Sequence, residues 1–119
     1  MEVDKLIQNE LPHVKFLECD GTTRVFDYVL TVNKIPHTVY VGKLYKNKEV
    51  VIPLHYWIKL GDGRIIDYKA RMWLSHLGEN EGPEGIFQPS EFPNYTYKGR
   101  AINLNTSKSI YQILVMSGS

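Results

Sequence analysis

The chain has 119 residues, 43 % hydrophobic and 23 % charged, with a formal net charge of +1. These values suit one compact domain over residues 1–119, leave little room for a second, and exclude a disordered tail. The near-neutral balance, with one modest basic cluster at Lys43, Lys46 and Lys48, argues against a nucleic-acid partner.

In chain order, "MEVDKLIQNEL" sets Val3, Leu6, Ile7 and Leu11 at helical spacing, with Pro12 as the expected stop. "CDGTTRVFDYVLTVNKIP" carries Val25, Phe26, Val29 and Leu30 as an i, i+1, i+4, i+5 stripe, one face of a helix. Asp20 or Thr22 is the expected cap, Asn33 the expected left-handed residue at the end, and Pro36 the exit. The same segment also alternates at Phe26, Tyr28, Leu30 and Val32, so a strand stays open. "HTVYVGKLY", "VVIPLHYWIKL", "RIIDYKARMWL" and "YTYKGRAINL" read as four strands, with Pro53 near the start of the second, where a missing N–H is tolerable. The Gly- and Pro-rich residues 78–99 read as a long loop, and Glu79, Glu81 and Glu84 in it as a solvated acidic face. "SKSIYQILVM" offers a helix with Ile110, Ile113 and Leu114 on one face behind a Ser107 cap, with a strand as rival. Helices followed by a run of strands predict an α+β fold with N-terminal helices packed on one side of an antiparallel sheet.

The lone cysteine, Cys19, excludes an internal disulfide and a thiolate metal cluster. His13, His37 and His76 show no ligand spacing, so neither metal nor cofactor is expected. No apolar run approaches a membrane span, and the acidic N-terminus lacks the pattern of a signal peptide. The expectation is a cytoplasmic protein without a membrane partner.

"LHYWIKLGDGRIIDYKARMWL" concentrates the chemistry. With Gly61, Asp62 and Gly63 as a three-residue loop, Leu60 pairs with Arg64, Lys59 with Ile65 and Trp57 with Asp67. His55, Trp57 and Asp67 then share one face, and Tyr56, Ile58, Leu60, Ile66 and Tyr68 form the apolar other. A two-residue loop would turn Asp67 away from His55. The three-residue register sorts polar from apolar residues better. It leaves Asp67 diagonal to His55, within reach of an imidazole N–H. A solvated Asp67 and an ordinary half-buried His55 are the plainer alternative.

Cys19 ahead of a helix, then "NKIPHTVYVGKL", "HYW" and "DGRIID", resembles in order and rough spacing the transglutaminase-like and papain-like cysteine enzymes, including small bacterial and phage members. The resemblance covers residues 19–68. It implies a papain/transglutaminase-like core, and it favours the helical reading of residues 20–34. It also implies Cys19 as nucleophile, His55 as general base and later acid, and Asp67 as the group that orients it. The backbone N–H of Cys19 would donate to the oxyanion, with Gln8 or Asn9 as a side-chain donor, and Tyr56 and Trp57 would shape the substrate pocket. The implied activity is acyl transfer through a thioester: peptidase, amidase or transglutaminase-like, on a protein or peptide-like substrate. The alternative is a non-catalytic binding or inhibitor protein of phage type that keeps the fold and occupies a protein partner.

Overall fold

The protein is described from a computed structural model that defines residues 2–118. It is an α+β domain whose five antiparallel strands run in the order β4-β3-β2-β1-β5. The elements are α1 (Glu2–Val14), α2 (Cys19–Val32), β1 (His37–Lys46), β2 (Glu49–Leu60), β3 (Ile65–Asp67), α3 (Ala70–Ser75), β4 (Gly85–Phe87), β5 (Tyr95–Ile102) and α4 (Lys108–Gly118).

The apolar stripe decides α2. Val25, Phe26, Val29 and Leu30 are all buried, and Val25, Phe26 and Leu30 share a core with Val39, Ile58, Leu60 and Ile66 of the sheet and Ile7 and Val14 of α1. The helix starts at Cys19, ahead of both expected caps. Glu18 holds the cap position in extended conformation without a side-chain hydrogen bond. A missing cap costs about 1 kcal/mol, whereas each of the four buried side chains contributes about 1.5–3 kcal/mol. Packing therefore sets the start. At the other end the left-handed residue is Lys34 (φ 58°), not Asn33. The Ile35 N–H donates to Leu30 O and the Lys34 N–H to Thr31 O, which closes the helix and returns Ile35 to the core.

Further expectations are corrected. Pro12 lies inside α1, which runs two residues past it to Val14. A proline in the last turn removes only one helical bond, and burial of Val14 holds the end. The third strand stops at Asp67, and residues 70–75 form α3. The reason is local: Asp67 Oδ1 accepts the N–H groups of Lys69 and Ala70, both at 3.0 Å, and so turns the chain into a helix. The long loop contains the short edge strand β4 and a 3-10 turn at Pro89–Glu91, and Glu79 in it pairs with Lys46 rather than standing solvated. In α4 the Ser107 cap is present, at 3.1 Å from the Ile110 N–H. The packed face is Tyr111, Leu114 and Val115, while Ile110 and Ile113 are exposed.

Helices α1, α2 and α4 pack together, and α2 lies against β1 and β2. Helix α3 packs elsewhere: Ala70 and Leu74 meet Leu44 and Ile52, so the helices do not all share one layer. The register of β1 and β2 shifts between Gly42 and Leu44, where His55 and Ile52 are the respective partners. Two residues of β2, Pro53 and Leu54, stand there opposite one of β1, Lys43, which makes a bulge. Pro53 is thus tolerated in mid-strand, beyond the reach of β3, which pairs only at Ile58 and Lys59.

Candidate active site

The β2–β3 hairpin adopts the three-residue register. The Leu60 N–H donates to Arg64 O, Ile58 and Lys59 pair with Ile66 and Ile65, and Gly63 has φ 92°. Only glycine takes that left-handed conformation without a Cβ penalty. The register carries Asp67 to the face of His55, and the imidazole Nε2–H donates to Asp67 Oδ2 at 2.7 Å.

The carboxylate of Asp67 is held from four directions. Oδ2 accepts from His55 and also from the Tyr97 hydroxyl, at 2.7 Å. Oδ1 accepts the two backbone N–H groups that start α3. Burial and the negative charge of Asp67 both raise the Tyr97 pKa, so this phenol stays a donor. An aspartate with every lone-pair direction engaged cannot swing away, and it fixes the ring of His55.

His55 is fully buried. Burial by itself opposes a charge on the imidazole. The Asp67 carboxylate, its hydrogen bond, and Cys19 behind it outweigh burial and raise the pKa to about 10. At neutral pH His55 is therefore an imidazolium. Its Nδ1 forms no hydrogen bond within the described residues, and Cys19 is the one ionisable group besides Asp67 that acts on this ring.

Cys19 is half-buried at the first position of α2. The first N–H groups of a helix have no intrahelical partner and carry the positive end of its dipole. The half-buried thiol thus faces a buried cation while standing at a positively polarised helix end. Lys69 completes the surroundings. Its ammonium donates to Val14 O at 2.9 Å and Lys15 O at 3.4 Å, tying the end of α1 to the start of α3. Burial lowers its pKa, opposed by Glu18, Cys19 and Glu84.

Cys19, Thr22, Phe26, Tyr56, Asp67 and Lys69 surround a small void of about 10 Å³, about one water in size. Tyr56 therefore lines the same void as the cysteine. Trp57 does not line it: it is buried with its ring 6.2 Å from that of His55 and 5.0 Å from that of Tyr97. Gln8 is exposed on α1 and shares no interaction with Cys19, His55 or Asp67, and Asn9 is exposed beside it. The backbone N–H groups at the start of α2 stand beside the thiol without intrahelical partners. Tyr97 and Lys69 were not readable as site residues. Alternation places Tyr95, Tyr97 and Gly99 on one face of β5, but only the pairing of β5 with β1 brings that face to Asp67.

No family model, curated protein or solved structure matches the chain. No helix among the described residues is long and apolar enough to cross a membrane.

Proposed function

We propose that the protein is a small cysteine-dependent acyl-transfer enzyme, working on an amide, isopeptide or thioester bond with a Cys19–His55–Asp67 triad. A cysteine-headed helix against an antiparallel sheet also supports kinship with the papain/transglutaminase-like core. The observation that carries the reading is the asymmetry of His55. One ring nitrogen is held by Asp67 at 2.7 Å, and the other is unbonded in an environment that Cys19 shares.

The chemistry follows from those positions. The thiolate of Cys19 attacks the acyl carbon, and negative charge moves onto the carbonyl oxygen, toward the free N–H groups at the start of α2. His55 gives its Nδ1 proton to the departing amine or thiolate, and the C–N or C–S bond breaks to leave a thioester on Cys19. The neutral imidazole then takes a proton from water or an acceptor amine, whose oxygen or nitrogen attacks the thioester carbon. The C–S bond breaks, the acid or amide product departs, and Cys19 returns to the thiolate beside the imidazolium. Asp67 keeps the ring oriented throughout and stabilises its charged form.

The substrate side of the reading rests on a cleft of about 300 Å³ between the β2 bulge and α3, lined by Leu54, Trp73 and Leu77 among others. Leu54 precedes His55, and α3 follows directly on Asp67, so apolar side chains of a peptide-like substrate would rest beside the triad. The same exposed side chains, Leu54, Trp73 and Leu77 at 65 %, 45 % and 72 % exposure, support a second reading: a protein-binding module of the same fold without catalysis.

The test is the rate of iodoacetamide alkylation of Cys19 against pH, in the wild type and in His55→Ala. Catalytic pairing predicts reaction well below the free-thiol pKa of about 8.5, lost in the variant. Thioester and amide substrates should then turn over in the wild type only. A thiol that titrates alike in both proteins ends the enzyme reading and leaves the binding module.

A further inference from the structure

A second cavity, of about 360 Å³, opens on the sheet face that carries Trp57 and Tyr97. Its floor is Trp57, Ile65 and Phe87, all buried. Tyr40, Phe92 and Tyr97 wall it, and Lys59 stands exposed at its rim. Neighbouring strands supply the rings by simple alternation, and glycine makes room for them. At Gly99 a Cβ would stand 2.8 Å from Trp57 Cη2, so only glycine lets the indole reach over β5.

The rings hold one another. Tyr40 and Trp57 stack in parallel at 5.9 Å, Tyr97 meets Trp57 edge-on at 5.0 Å, and Phe92 meets Phe87 edge-on at 4.9 Å. Such contacts fix a shape before any ligand arrives. The volume falls in the range of small-molecule sites. Aromatic walls alone would also suit an organic cation. Here no carboxylate lines the cavity, and the charged group at the rim is Lys59, which makes no ion pair among the described residues. The charge selects an anion.

We propose that this cavity binds a small planar aromatic carboxylate, its ring against Trp57, Phe92 and Tyr97 and its carboxylate on the Lys59 ammonium. Cys19 does not line the cavity, so the site stands whether or not Cys19 is a nucleophile. The Tyr97 ring that walls the cavity also donates to Asp67, which puts a bound ligand one side chain from the His55–Asp67 pair.

The test is a ¹H–¹⁵N NMR titration of the full chain with 2-naphthoate, with 2-naphthamide as the uncharged control. The expected result is saturable shifts at the Trp57 indole N–H and the Thr96 and Gly99 amides. Affinity should fall about fivefold for the amide and for Lys59→Gln, the scale of one exposed charge pair. Phe92→Ala should abolish saturation. Lys59→Gln alters only an exposed side chain, so it reads the site even where Phe92→Ala loosens the fold. Shifts that do not saturate, or that gather around Leu54 and Trp73 instead, overturn the site. Equal affinity for the acid and the amide overturns the ligand class.

Discussion

The protein contains two histidine–aspartate pairs of the same length and opposite character. His37 Nε2 lies 2.7 Å from Asp27 Oδ1, and His55 Nε2 lies 2.7 Å from Asp67 Oδ2. In the first pair the other nitrogen is also used, because His37 Nδ1 meets Ile35 O at 2.8 Å. A carboxylate and a carbonyl both accept, so both ring nitrogens of His37 donate and the ring is an imidazolium. It ties α2 to β1 and has no position left for chemistry. In the second pair one nitrogen is left over, and it is deeper: the side chains of His55 and Asp67 are 0 % and 1 % exposed, against 9 % and 13 % for His37 and Asp27. Pairing by itself therefore does not mark a catalytic histidine. Under the proposed function, the mark is a paired histidine with one nitrogen unspent near the thiol of Cys19.

The largest expected contrast is in reactivity. At pH 6, His55→Ala should slow Cys19 alkylation by about two orders of magnitude, the gap between a paired thiolate and a free thiol. His37→Ala should leave the rate within about twofold on the same scale. A rate that falls equally in both variants would erase the distinction between the pairs.

Stability separates them next. Asp67→Ala strands the His55 charge, the Tyr97 hydroxyl and two backbone N–H groups, and should cost about 3–5 kcal/mol in urea denaturation. Asp27→Ala removes hydrogen bonds from His37 and Thr106 at a half-buried site and should cost about 1.5–3 kcal/mol. The reverse order would mean that burial does not govern the difference.

The pH dependence sharpens the comparison. His55 has its folded pKa raised to about 10 from 6.5. Its stabilising contribution is complete below about 6.5 and disappears as pH rises through about 10. His37 is raised in the same sense by its hydrogen bond to Asp27, against burial, so its contribution too is lost on the alkaline side. Asp27 behaves oppositely. Burial would raise its pKa, but the bonds from His37 and Thr106 lower it, so its contribution is present above the ordinary carboxylate pKa and is lost as pH falls through the lowered value. Unfolding free energies from urea denaturation should decline between pH 7 and 10 by on the order of 1 kcal/mol per pH unit. His55→Gln should remove most of that slope. His37→Gln should remove less.

The smallest effect belongs to Tyr97→Phe. It deletes one donor to a buried carboxylate that keeps three others, and should cost about 1.5 kcal/mol. The alkaline limb should persist, because the His55–Asp67 bond remains. A loss as large as that of Asp67→Ala would show that the phenol, not the backbone, anchors the carboxylate.

Much of this architecture was legible in short stretches of chain, because short-range physics governs it. The stripe at Val25, Phe26, Val29 and Leu30 made α2, and Gly61-Asp62-Gly63 set the hairpin register that brings Asp67 to His55. Those choices depend on neighbours a few residues away. One local contact overrode the pattern: Asp67 ended β3 by accepting the amides of Lys69 and Ala70, which cut short a strand that "RIIDYKARMWL" otherwise predicts. Other features depend on partners far along the chain. Tyr97 reached Asp67 across 30 positions, and Lys69 reached Val14 across 55. The alternation of Trp57 and Tyr97 was visible in the sequence, but not that their rings close a cavity behind His55. Hydrophobic periodicity and turn chemistry act through the nearest few residues, so the sequence by itself determined the apolar stripe of α2 and a hairpin register that puts Asp67 on the face of His55. Helix against strand, and the contact itself, were settled by packing. Which strands lie side by side is decided by burial of the whole core at once. Only the tertiary structure could therefore decide which of four histidines keeps a nitrogen free beside the one cysteine.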